Sequence, residues 1–250
     1  MTKSQTDRDT WKDALRYIVR YEVRGSYRYE RVIRTKKIID EMLLLGSFGE
    51  LTEERFLEMR NALDVDEHRI ARDAWTTNVH AFVHTKEWID RLAESLAGKT
   101  VLEIGASRGT LMQPMNSRGV QWIGVQINPD KDCRFKPIPV IDYIDAIQGY
   151  RNTIDFIFVA WPAYTMRNTN FMQIVYEAKR LDIPVLLVSE RRVITSTSGE
   201  LWDRQSLDGY RLVQAREFAP ARWRGVHDHL WVIVDEIHLK SDGDRSKLLI

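Results

Sequence analysis

The chain has 250 residues, 44% of them hydrophobic and 29% charged, enough for a full core and ordinary for a globular protein. A formal net charge of +1 gives no global pull toward nucleic acid or an anionic membrane. A single cysteine, Cys133, rules out an intrachain disulfide and a cysteine-built zinc cluster; with the polar start MTKSQTDRDT, it points to a reducing, cytoplasmic setting.

The apolar spacing then divides the chain near Gly98. Before it the pattern is helical. Trp11, Leu15, Ile18 and Val19, then Val32, Ile33, Ile38 and Ile39, recur at helical intervals, with a break at Gly25-Ser26. Leu43-Leu44-Leu45-Gly46 reads as a helix end capped by Gly46. Thr52 is the N-cap of a further helix. His80 and His84 stand four apart, on helical spacing, without the glutamate that would make them a metalloprotease pair; a core or cofactor-covering role fits them better. A helix from Lys86 to Leu96 puts Trp88, Ile89, Leu92 and Leu96 on one face, with Gly98 past its end.

After Gly98, short β-branched runs alternate with helical stretches. Strands are expected at 100–104, 122–125, 154–160 and 185–188, followed by a hairpin of 210–218 and 229–234. Alternation of this kind implies a doubly wound, mostly parallel α/β sheet with a C-terminal antiparallel hairpin, preceded by a helical N-terminal region. The expected division is 1–84 for the helical region, 85–240 for the sheet domain and 241–250 for a tail. Residues 196–202 look like a capped helix start.

Chemistry concentrates where the first strand ends. Val101-Leu102-Glu103-Ile104 runs into Gly105-Ala106-Ser107-Arg108-Gly109, and a helix from about Thr110 to Arg118 is expected to follow. Small residues let the backbone turn tightly and let a ligand come close, with a helix start aimed at the same place. The spacing is G-x-x-x-G and differs from the dinucleotide fingerprint. Glu103 sits inside a buried strand, where a charge needs a partner.

VLEIGASRGTL resembles the first motif of Rossmann-fold S-adenosylmethionine-dependent methyltransferases. That resemblance covers roughly residues 85–235 and implies S-adenosylmethionine as cofactor. It implies that Glu103, Gly105, Ala106, Ser107 and Gly109 hold its methionine end, with Glu103 ordering the loop. The family's ribose-binding acid falls at Gln126, which can bond a hydroxyl but without charge assistance, and Asn128 could share the task. Asp145-Ala146 corresponds in type and place to the family's adenine-side pair, with Asp142 as an alternative; the other reading of either Asp is a helix N-cap. Trp161-Pro162-Ala163-Tyr164 resembles the D/N/S-P-P-Y/F signature of amine methylases, with Trp in the polar position and Ala for the second Pro. By that resemblance Trp161, Pro162 and Tyr164 border the transferred methyl.

The function expected is therefore methyl transfer to an undefined acceptor, an amine among the candidates. The alternative is a non-catalytic S-adenosylmethionine-binding or methyltransferase-like interaction protein. No metal is called for. Ser189-Glu190-Arg191-Arg192 follows the fourth strand, where a Glu could accept a proton or bind a substrate amine, a solvated loop being the default reading. Trp223, Gly225, His227 and Asp228 lie in the hairpin connection and could form part of the substrate side, without a motif that names a role. Cys133 precedes the strand after which a cytosine-C5 methylase carries its nucleophile, so that reaction is not expected. The first 37 residues hold eleven Lys or Arg against five Asp or Glu, with tyrosines interleaved, so nucleic acid is a candidate partner.

Overall fold

A computed structural model describes residues 27–106, 108–126, 139, 141–161, 171–190, 206–207 and 210–235. Three helices come first: α1 (Tyr27–Ser47), α2 (Glu53–Ala62) and α3 (Val65–Asn78). α4 (Lys86–Ser95) leads into β1 (Thr100–Ile104), α5 (Met112–Asn116), β2 (Gln121–Val125), α6 (Tyr143–Tyr150), β3 (Phe156–Ala160), α7 (Phe171–Arg180) and β4 (Val185–Ser189). β5 (Ser206–Leu207), β6 (Tyr210–Gln214), a 3-10 turn at Arg216–Phe218 and β7 (His229–Asp235) complete the described elements.

The strands form one sheet in the order β2-β1-β3-β4-β7-β6-β5. β2, β1, β3 and β4 are parallel; β7, β6 and the short β5 pair antiparallel beyond them. The doubly wound sheet with its C-terminal hairpin is thus the observed architecture. The extra β5 was not foreseen, and the expected strand at 210–218 stops at Gln214, where the 3-10 turn begins.

Alternating side chains along each strand load both faces of the sheet. Leu102, Ile104, Ile157, Val159, Val185 and Leu187 face α6 and α7. Val101, Phe158, Leu186, Val188 and Val232 face α4 and Phe82. Thr85 caps α4 by accepting the Trp88 N–H, and Trp88, Ile89 and Leu92 are wholly buried, as the spacing predicts.

The helical layer departs from expectation at three places. α1 runs through Gly46 to Ser47, and Gly49 takes the left-handed turn at φ 69°. Gly46 serves close packing instead: a Cβ there would lie 2.2 Å from the Trp75 ring. α3 was not anticipated. It is nucleated by a capping box in which Asp64 accepts from the Glu67 amide and Glu67 accepts from the Asp64 amide. Glu67 is 2% exposed and also takes hydrogen bonds from Thr35 and Arg31, tying α3 to α1. His80 and His84 are on no helix: α3 stops at Asn78, and both lie in the connection to α4, which forms an antiparallel bridge Val83–Ala221.

That bridge is one of several ties between the layer and the β6–β7 connection. The Arg60 guanidinium donates to the Arg222 carbonyl at 2.7 Å. Phe56 and His68 pack edge-on against Trp223 at 5.2 and 5.6 Å. The Trp75 indole donates to the Phe82 carbonyl at 2.9 Å, joining α3 to the segment that enters the sheet's core. Among the described residues no helix is long and apolar enough to cross a membrane.

Candidate functional site

In a sheet ordered β2-β1-β3, the chain leaves β1 in one direction for β2 and later returns on the other side for β3. The crevice outside the carboxyl ends at such a switch point is where open α/β sheets bind ligands. The glycine loop after β1 is one lip of that crevice and Trp161 after β3 is the other. Their registration is direct: Ile104 pairs with Val159, so Gly105 stands at the level of Ala160, the last residue of β3.

The first lip is made of backbone. Gly105 and Gly109 both take left-handed φ angles, 76° and 69°, which residues with a Cβ adopt only under strain. The Gly105 and Ala106 amides both donate to the Val125 carbonyl, at 2.9 and 3.1 Å, clamping the loop to the end of β2. Gly124 makes that possible, since a Cβ there would sit 2.7 Å from the Ala106 Cβ and 2.9 Å from the Met112 sulfur. At Gly105 itself a Cβ would meet only the Tyr143 hydroxyl, at 3.6 Å, so the loop presents open room bordered by one hydroxyl. The expected helix at 110–118 is shorter: α5 covers only Met112–Asn116, after a turn in which the Met112 amide bonds the Gly109 carbonyl. Five residues make little macrodipole, so room rather than a helix terminus is what the loop offers.

Behind the loop stands Glu103, 2% exposed. One carboxylate oxygen meets His80 Nε2 at 2.8 Å and the other accepts the Trp122 indole N–H at 2.7 Å. The charge that a buried strand makes costly is therefore engaged on both oxygens by the protein, and it fastens the helical layer to β1 and β2. Two further contacts reinforce this: the Thr110 hydroxyl donates to the Val79 carbonyl at 3.0 Å, and Arg108 reaches the Asn78 side chain at 3.4 Å. His84 is fully buried against the Gly46 carbonyl, and burial drives its pKa down to about 3, so it stays neutral.

Gln126 closes β2's end. Its amide donates to the Pro139 carbonyl at 3.2 Å and its carbonyl accepts the Ile141 amide at 3.0 Å, bringing the start of α6 beside the loop. Asp142 is the N-cap of α6, accepting the Ile144 amide at 2.8 Å. Asp145 is exposed in the first turn, and Ala146 is buried beneath it. Ser107, Asn128, Pro162 and Tyr164 lie outside the described residues, as do residues 196–202, Cys133 and residues 1–26 of the basic chain start.

The second lip is made of side chains. Trp161 has a left-handed φ of 46°, an outlier for a bulky residue, and its amide continues the sheet by donating to the Val188 carbonyl at 2.9 Å. Its indole N–H donates to Asp228 at 2.8 Å, and the Arg72 guanidinium of α3 lies over the ring, 5.9 Å from its centroid. Asp228 is 1% exposed. Burial pushes its carboxyl up to about 7 and the nearby Glu190 charge adds to the rise, against the pull of the Trp161 N–H and of Arg72 and Arg222. Glu190, itself buried, accepts the His227 amide and so fixes the backbone one residue before Asp228. His229 Nδ1 accepts from Gln214 at 2.7 Å and Arg222 at 3.1 Å; burial first, then Arg222, lowers its pKa.

Asp228, Glu190 and Arg72 thus belong to this edge of the sheet; the sequence offers Glu190 as a proton acceptor or amine-binding group and Asp228 as part of the substrate side, and gives Arg72 no role. For Glu190 a signal existed, an acid directly after five buried strand residues. For Arg72, on a helix 89 residues before Trp161, none did. Among the described residues no group of three or more His, Cys, Asp or Glu is gathered as for a metal ion.

No family model matches the chain, and no curated protein matches it. Solved structures do resemble it. A SAM-dependent methyltransferase from Archaeoglobus fulgidus is 14% identical over 59% of this chain and 91% of its own, with a TM-score of 0.38. A protein from Staphylococcus aureus, assigned as a caffeoyl-CoA O-methyltransferase, is 11% identical over 73% of this chain and 98% of its own, at a TM-score of 0.45. One from Streptococcus mutans, assigned as a SAM-dependent methyltransferase, is 14% identical over 60% of this chain at a TM-score of 0.41; the chain spans 48% of its length.

Proposed function

We propose that this chain is an S-adenosylmethionine-dependent methyltransferase whose reaction takes place in the crevice between the glycine loop and Trp161. The observation that carries the reading is Gly105. It lies at the switch point with a left-handed φ and open room where a side chain would stand, within the sequence VLEIGASRGTL. Such a cradle suits a ligand that lies directly on the backbone.

In this reading Gly105, Ala106 and Gly109 hold the methionine end. The Gln126 side chain meets the ribose, Asp145 and Ala146 border the adenine, and Trp161 borders the transferred methyl. Ser107, Asn128, Pro162 and Tyr164 complete the set by their sequence positions alone. Glu103 acts from behind, holding β1, Trp122 and His80 together under the loop. When bound, S-adenosylmethionine supplies an electrophilic methyl group on a sulfonium. The chain's own part is to orient the acceptor in line with it and to take up the proton that the acceptor loses. Asp228, held near neutrality beside Trp161, supports an enzyme over a binding module.

The acceptor stays open in this reading, nucleic acid included; within the described part of the basic chain start, Arg31 pairs with Asp64 and Glu67, Arg34 with Glu67, and Lys36 with Asp40.

Calorimetric titration with S-adenosylmethionine and S-adenosylhomocysteine tests the proposal, with Gly105→Arg as control. Micromolar binding that the substitution abolishes is the expected result. A folded protein that binds neither ligand overturns the reading.

A further inference from the structure

Resting on the methyltransferase reading, we infer that Asp228 is the proton acceptor for an amine nucleophile, which binds at the Trp161 lip of the crevice with Glu190 as the group that positions Asp228.

Four separate pieces of chain converge to make this place. β3 delivers Trp161, whose indole joins Asp228 at 2.8 Å. β4 delivers Glu190, which holds the His227 amide next to Asp228. β7 begins at His229, paired with Ser189, so that Asp228 and Glu190 leave neighbouring strands at the same level. α3 reaches across with Arg72 over the indole. The sheet register sets Trp161 one residue beyond the level of Gly105, and the indole bond ties Asp228 to that lip.

The indole N–H uses one of the roughly four acceptor positions of a carboxylate, which leaves Asp228 able to bond a second donor. A group titrating near 7 is matched to an ammonium. An amine of about the lysine type loses its proton near 10.4, within reach of such a base.

The step balances without a further reactant. Asp228 takes a proton from the ammonium, leaving a lone pair on nitrogen. That pair forms the N–C bond to the methyl as the C–S bond breaks, and the C–S electrons stay on sulfur as a thioether. The product leaves as a methylated ammonium, and the proton on Asp228 passes to water.

The test needs no acceptor. Sinefungin carries a primary amine where the sulfonium methyl would be, so it places an ammonium at the site of transfer. The full chain is titrated near pH 8 with sinefungin and with S-adenosylhomocysteine. Wild-type protein is expected to prefer sinefungin by about tenfold or more, in line with a charge-assisted hydrogen bond. Asp228→Asn keeps an oxygen for the Trp161 N–H; it is expected to bind S-adenosylhomocysteine within about twofold of wild type and to lose the preference. Glu190→Gln is expected to reduce the preference less.

In wild type the preference should also fade as pH drops from about 8 to 6, as Asp228 protonates. The charged groups facing it are Glu190 just after β4, Arg72 from α3 and Arg222 from the β6–β7 connection; His229, next in the chain, is itself under the charges of Arg222, His227 and Glu190. S-adenosylhomocysteine binding with an unchanged preference in Asp228→Asn, or a preference flat with pH, overturns the assignment alone. Absence of S-adenosylhomocysteine binding in the folded wild type overturns the methyltransferase reading and this inference with it.

Discussion

The two lips of the crevice are built from opposite materials. The glycine loop is shaped by what is missing: no Cβ at Gly105 or Gly124, and amides turned inward to Val125. The Trp161 lip is shaped by what is brought in: an indole, two carboxylates and two guanidiniums from positions 72, 161, 190, 222 and 228. A backbone lip fails by steric intrusion, all at once. A side-chain lip is graded, because each group carries part of the electrostatics.

The largest expected effect tests that contrast directly. Gly105→Arg forces a side chain into the crevice and strains a left-handed residue by about 1–2 kcal/mol; cofactor binding should vanish from calorimetry while the protein still melts cooperatively. Asp228→Asn, by contrast, should leave S-adenosylhomocysteine binding nearly intact. Equal sensitivity of both lips to these two changes would erase the distinction.

Next in size is the layer behind both lips. Trp75 is fully buried, donates to the Phe82 carbonyl and packs on Gly46, so Trp75→Ala should lower stability by about 3–5 kcal/mol in denaturant titration. A loss below about 1 kcal/mol would mean that the helical layer is only loosely joined to the sheet. Glu103→Leu strands the Trp122 N–H and the His80 ring nitrogen, at roughly 1–3 kcal/mol each.

The pH dependence of stability separates the lips by sign. Asp228 is raised from 3.8 to about 7, so across that window the folded state holds a proton that the unfolded chain releases, and stability falls as pH rises. His84, behind the glycine lip, is lowered from 6.5 to about 3. There the unfolded chain takes up a proton that the folded state refuses, so stability falls as pH drops through 6.5 toward 3. His68 and His229, also lowered mainly by burial, act in the direction of His84. Asp228→Asn should therefore steepen the acid-side loss, by at most about 1.4 kcal/mol per pH unit, and His84→Leu should flatten it, both read from melting temperature against pH. The smallest effect is a control: Thr52→Ala removes the α2 N-cap, far from either lip, and should cost about 1 kcal/mol with no change in ligand binding.

The same contrast decides what could be read in advance. Strand positions and the glycine loop follow from local patterns: five buried residues, then Gly-x-x-x-Gly, then a turn. The α4 face and the Thr52 cap are equally local. α3 was missed although Asp64-x-x-Glu67 is a capping-box signature, because its apolar stripe of Ile70, Ala71, Ala74 and Trp75 is thin and crowded by charge. Gly46 was misassigned because a glycine required by a neighbouring ring looks, in sequence, like one that ends a helix. The Trp161 lip was least legible. Glu190 is legible as an acid just past a buried strand, but its link to Asp228, and any part for Arg72, comes only from the register of β3, β4 and β7 and from a helix packed over their ends.

The bond from Arg60 to the Arg222 carbonyl spans 162 residues of chain, and the Val83–Ala221 bridge nearly as many. During synthesis the ribosome releases the helical layer first, yet its partner surface of Ala221, Trp223 and Val226 emerges only after every parallel strand has been made. Closing so long a loop is entropically slow, and contacts of this separation delay folding. The Trp161 lip, which needs both ends of that span, is therefore completed last, and a nascent chain that stops short of residue 220 carries the glycine loop and Trp161 without the Asp228 carboxylate that holds the indole.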